Sequence, residues 1–242
     1  MIGYWLVLAM VLCALVAVVA AYATETPEPE ADLHPPPRRL PNPKHQVWLA
    51  LGSSGTMERA HQDESPAAWV SLVSERLPPD AVGHDLSTPR ATVAEVRRDQ
   101  LPEGLDSAPD VAALWIGLDD LLGGTSIDAF EEDLLAVLAR LSGAGCALVL
   151  ATVPDITGQP ELESIGFSPE LLRLHVERWN ASIMRLGSAL GAVVIDDRVG
   201  PEDIAMHVQY LDDPEILLSA RGHARLADLL APPIRRALGE HR

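Results

Sequence analysis

Short apolar runs alternate with amphipathic stretches from His45 to the C-terminus. Residues 47–51 (VWLAL), 111–116 (VAALWI), 147–153 (ALVLATV) and 192–195 (AVVI) are brief and almost wholly apolar, which predicts buried strands. A weaker extended segment lies at 82–86. Between them apolar residues recur at helical spacing: 66–77 (Trp69, Val70, Leu72, Val73, Leu77), 92–101, 126–141 (Leu134, Leu135, Val137, Leu138), 168–190 and 219–238. Strands apolar on both faces, alternating with helices, predict an α/β fold with a parallel sheet covered on each side. No internal repeat is present.

The N-terminal part obeys other rules. Residues 2–23 carry no charged side chain, and about 20 apolar residues in a helix suffice to cross a hydrocarbon core. The run ends in Ala21-Tyr22-Ala23, a small-x-small pattern that a signal peptidase could cut near Ala23. Residues 1–23 are therefore expected to be a transmembrane signal anchor or a cleaved signal peptide, and both readings export the rest of the chain. Glu25, Glu28, Glu30 and Asp32 flank the run, and seven prolines from Pro27 to Pro43 make residues 24–44 an extended, acidic, semi-rigid linker. Residues 45–242 are expected to form one domain, either held to the membrane facing outside or secreted.

Composition narrows the partners. A formal net charge of -17 repels phosphate backbones, which excludes nucleic acid as a natural partner. The two cysteines, Cys13 and Cys146, cannot build a disulfide framework or a zinc site. Leu12 before Cys13 is too large for a lipoprotein cleavage signal. Asp119-Asp120 resembles a metal-binding pair, but no third ligand accompanies it, so neither metal nor cofactor is expected. Asn180-Ala181-Ser182 spells a glycosylation sequon inside a predicted helix and is discounted. Trp69 and Trp115 read as core.

Chemistry in open α/β sheets gathers at the carboxyl ends of the strands. The first run ends in Leu51-Gly52-Ser53-Ser54-Gly55-Thr56, where a serine in a tight turn can expose its hydroxyl as a nucleophile. That turn alone is also a common loop. The segment ALGSSGT, with Trp69-Val70 and 72–77 after it, resembles the opening of the SGNH/GDSL hydrolases, whose first strand ends in Gly-Asp-Ser-x-Thr. RATVAEV (90–96) resembles their Gly-Ala-Thr turn, and VAALWIGLDD (111–120) a strand ending in Gly-x-Asn-Asp. ATVPD (151–155), LRLHVERWN (172–180), residues 191–196 and SARGHARLA (219–227) resemble the later segments in order. The likeness spans 46–238.

That resemblance implies a three-layer α/β/α sandwich around a parallel five-stranded, flavodoxin-like sheet, and the hydrolysis of acyl esters. The implied ligand is a small acyl ester or carbohydrate ester. In the family a serine attacks, a histidine takes its proton, and an aspartate three residues before that histidine orients it. The oxyanion is held by the serine N–H, a glycine N–H and an asparagine amide. Carried onto this chain, the nucleophile falls on Ser54, and Ser53 replaces the preceding aspartate, a change expected to affect turn geometry more than chemistry. The oxyanion positions fall on Ser54, Arg90 and Asp119.

Here the chain departs from the pattern. Arg90 keeps a backbone N–H but adds a side chain. An ionised Asp119 offers no donor and carries the wrong sign; loss of one such donor costs about 2.7–4 kcal/mol in barrier. The family histidine falls on Leu217 and its aspartate on Pro214, neither of which can serve a proton transfer. His207 is the one candidate substitute base. His61 is expected on the surface, and His223 in a cap or packing contact. The resemblance thus implies an exported hydrolase-like protein with impaired catalysis, or a pseudoenzyme that binds without turnover.

Overall fold

The computed structural model describes residues 46–54, 68–156, 162, 168–196, 211–212 and 217–239. Residues 1–45, which hold the expected anchor and linker, lie outside the described residues. Among the described residues no helix is long and apolar enough to cross a membrane.

Five parallel strands form one sheet: β1 (Gln46–Gly52), β2 (Ala81–Asp85), β3 (Val111–Trp115), β4 (Ala147–Ala151) and β5 (Val193–Ile195). Their order is β2-β1-β3-β4-β5, the doubly wound order of flavodoxin-like sheets. Every residue of β3 is buried, which explains its unbroken apolar sequence. Helix α1 (Trp69–Glu75) packs on the closing helix α7 (Ala220–Ala237), and α7 packs on β3 and β4. Helices α5 (Ile127–Gly143) and α6 (Pro169–Ala189) pack together and against β4. The result is the three-layer α/β/α sandwich that the sequence implies.

Local signals set the helix starts. Ser126 and Ser219 accept hydrogen bonds from Ala129 N–H and Gly222 N–H, each satisfying one of the orphan donors of a first turn. Thr92 and Glu95 form a capping box, with Glu95 Oε2 accepting from Thr92 N–H at 2.8 Å. Asn180 is fully buried on α6; its Oδ1 accepts from Val153 N–H at 2.8 Å and its Nδ2 donates to the Val153 carbonyl at 2.9 Å. That amide ties down the chain leaving β4, so the sequon offers no accessible nitrogen.

Three features differ from the sequence reading. The helix expected to stop near Leu101 continues as α2 (Val93–Glu95), a π turn (Val96–Gln100) and α3 (Leu101–Asp106). Leu101 N–H reaches back five residues to the Val96 carbonyl, and this wider turn lets the helix pass Pro102, which cannot donate. A short helix that the periodicity does not announce, α4 (Leu118–Leu122), comes after β3; Gly117, at φ 100°, makes the turn into it. Near the C-terminus β6 (Leu211–Asp212) and β7 (Leu217–Leu218) pair antiparallel, too short to leave a period in the sequence.

Asp120 joins the start of α2 to α4. It is fully buried; its Oδ2 accepts from Val93 N–H at 3.0 Å, while Oδ1 has no hydrogen-bond partner among the described residues. Burial first, and the neighbouring Asp119 as well, push its carboxyl up to about 6 against the pull of the Val93 N–H. A carboxyl raised on folding contributes stability that is full below its unfolded pKa and is lost as pH rises through its folded pKa. Asp120 should therefore weaken the fold between pH 4 and about 6. Asp120→Asn should flatten that limb in urea unfolding measured as a function of pH; identical profiles for the two proteins would contradict the assignment.

Candidate active site

The strand order reverses between β1 and β3, and ligands of open α/β sheets bind where neighbouring strands send their connections to opposite sides. Gly52 ends β1 there at φ 104°, so close to β3 that an added Cβ would stand 2.1 Å from the Trp115 carbonyl oxygen. Only glycine fits. Ser53 N–H then donates to that same carbonyl at 2.9 Å, and the chain turns across the top of the sheet.

Ser53 is held on three sides. Its carbonyl accepts from Trp69 Nε1 at 3.3 Å, and its hydroxyl bonds the Asp119 carboxyl of α4. Trp69 is itself fixed through its backbone N–H, which donates to His223 Nδ1 at 3.2 Å. His223 is fully buried on α7, and burial drives its pKa down to about 4, so it stays neutral with its proton on Nε2. It holds α1 to α7, the packing role expected of it.

Ser54 comes next, almost wholly buried. Ser53 forms a parallel bridge with Thr88 beyond the end of β2. In that bridge Ser54 N–H donates to the Thr88 carbonyl at 2.9 Å, and Thr88 N–H to the Gly52 carbonyl at 3.1 Å. Two residues on, Arg90 takes φ 54°, left-handed backbone that favours the glycine expected at this position. Its exposed guanidinium acts electrostatically on Asp119. Burial, the largest influence, and Glu95 raise the Asp119 carboxyl above the usual range, while the Ser53 hydroxyl and Arg90 lower it.

Ser54, Arg90 and Asp119 thus share one corner of the carboxyl edge, linked through Ser53 and Thr88. Leu217 lies in β7, across from Asp212. His207, Pro214 and His61 lie outside the described residues. Among the described residues no cluster of three His, Cys, Asp or Glu is placed to hold a metal.

Sequence reasoning missed three contributors. The Ser53 hydroxyl contacts Asp119, so its effect reaches the chemistry of the corner as well as its turn. Thr88 engages the Ser54 amide through its backbone, which no side-chain pattern announces. Gln100, buried in the π turn, accepts from Gly52 N–H at 2.8 Å and donates to the Gly52 carbonyl at 3.2 Å and to Thr88 Oγ1 at 3.0 Å. A usable signal existed for the last: Gln100 is the polar member of an otherwise apolar buried stripe of Val93, Val96, Leu101 and Gly104.

Comparison with known proteins agrees with this geometry. A family model described as GDSL-like Lipase/Acylhydrolase matches residues 50–225. Among solved structures, a lipase/acylhydrolase from Enterococcus faecalis is 20% identical, with a TM-score of 0.63 over 81% of this chain and 99% of that one. TesA is 17% identical, with a TM-score of 0.63 over 80% and 100%. A catalytic mutant of an acetylxylan esterase from Geobacillus stearothermophilus is 15% identical, with a TM-score of 0.62 over 84% and 98%. No curated protein matches. With its sheet order, its Gly52-Ser53-Ser54 turn and a family match over most of its length, the chain belongs to the GDSL-like lipase/acylhydrolase family.

Proposed function

We propose that this chain is an exported member of the family in which acyl-ester hydrolysis at Ser54 is strongly impaired, leaving the cleft chiefly to bind. One feature supports the reading: position 119, where the resemblance calls for an amide donor, carries a carboxyl, and the Ser53 hydroxyl and Arg90 act on it. An oxyanion growing on a substrate at Ser54 would meet a carboxylate instead of an N–H, in a partly desolvated corner where charge is weakly screened. The Ser54 N–H, a second expected donor, is bonded to the Thr88 carbonyl. Leu217 and Pro214 supply no base, and a serine hydroxyl without a base is a poor nucleophile at neutral pH.

Small acyl esters or carbohydrate esters are the proposed ligands, since family ancestry shapes the cleft for them. Retained ester turnover is the competing reading, and His207 is its candidate base. Purified full-length chain should hydrolyse a short-chain aryl ester at least about a thousandfold more slowly than an intact-triad relative assayed beside it, by analogy with loss of a triad member. Turnover of ordinary magnitude that Ser54→Ala abolishes would sink the proposal and make His207→Ala the next variant.

Export rests on the uncharged residues 2–23 and the proline-rich acidic stretch after them. In cells, residues 45–242 should be digested by protease added outside the membrane, or should be recovered from the medium trimmed near Ala23. A full-length chain protected from that protease would overturn export.

A further inference from the structure

We propose that Gln100 is a positioning residue that latches the Ser54 N–H onto the Thr88 carbonyl and so withholds this amide from an anion beside Ser54. The inference rests on reading Ser54 as the family's nucleophile position. Its basis is the set of bonds that Gln100 makes. Gly52 N–H can only donate and the Gly52 carbonyl can only accept, so Oε1 must face the first, at 2.8 Å, and Nε2 the second, at 3.2 Å. The second hydrogen of Nε2 then points to Thr88 Oγ1, at 3.0 Å.

Capping Gly52 needs only one of those two N–H bonds. The other crosses to a different turn, that of Thr88, which is exposed and contributes nothing to the core. What that turn does contribute is the carbonyl that accepts Ser54 N–H at 2.9 Å. Gln100 therefore grips both sides of the bridge between Ser53 and Thr88 from a buried, fully engaged position. The π turn brings it there: Val96–Gln100 is wound with bonds reaching back five residues, and such turns are frequent at functional sites. Arg90 lies two residues beyond Thr88, so the latch also fixes the turn that carries the other backbone position assigned to the oxyanion.

Gln100→Leu removes all three bonds and puts the fold itself at risk, so Thr88→Val carries the test. It deletes the hydroxyl, keeps the branched shape, and leaves the bonds between Gln100 and Gly52 in place. Amide hydrogen exchange of the full-length protein, monitored by NMR, reads the Ser54 N–H directly. Exchange at Ser54 should quicken at least about tenfold in Thr88→Val and return to within about threefold of wild type in Thr88→Ser, with the amides of Leu49, Leu114 and Leu150 unchanged. Wild-type exchange at Ser54 in Thr88→Val would overturn the proposal, as would a rise shared by those central-strand amides. Ordinary ester turnover by the wild-type chain would overturn the proposed function and leave this exchange result intact.

Discussion

The close approach of Gly52 to the Trp115 carbonyl decides where everything at the carboxyl edge can stand. An added Cβ would sit 2.1 Å from that oxygen, and φ there is 104°, so β1 must end on glycine and turn at once. The turn delivers Ser53 N–H to the same carbonyl and aims the Ser53 hydroxyl at Asp119 on the helix after β3. Trp69 closes over the Ser53 carbonyl from α1, and Gln100 takes both polar groups of the Gly52 backbone from the π turn. Four separate elements thus meet on two consecutive residues, Gly52 and Ser53, and the turn they hold leads directly into Ser54.

That rigidity has a chemical consequence. A preorganised corner helps a reaction only if its fixed groups match the charge that develops, because they cannot reorient as it grows. Here the fixed group at position 119 is a carboxyl, drawn into the corner by the Ser53 hydroxyl and partly balanced by Arg90. The serine amide is spent on Thr88. On the proposed reading, this corner is better matched to accepting hydrogen bonds than to stabilising an anion. Fold alone does not decide between turnover and binding; the side chains at one strand edge do.

Much of the scaffold was legible in the sequence for physical reasons. Strands such as VAALW are buried on both faces and so read as apolar runs, and serines before helical stretches marked the starts of α5 and α7. The positions of Ser54, Arg90 and Asp119 came from motif order. What stayed hidden depends on contacts between residues distant in the chain. Gln100 meets Gly52 across 48 positions and Thr88 across 12, distances that no periodicity encodes. The helix from residue 92 was expected to end near Leu101 because the π turn that carries it past Pro102 has no composition of its own. The Ser53 substitution reads as a turn effect until its hydroxyl is found on Asp119.

The central claim is that charge at Asp119 opposes an anion beside Ser54. Titration calorimetry with methylphosphonate, a small non-covalent tetrahedral anion, measures that opposition without requiring any proton transfer. Asp119→Asn should bind it at least about tenfold more tightly than the wild-type chain at neutral pH, a difference of about 1.4 kcal/mol. Equal affinity in the two proteins, or tighter binding by the wild type, would contradict the account.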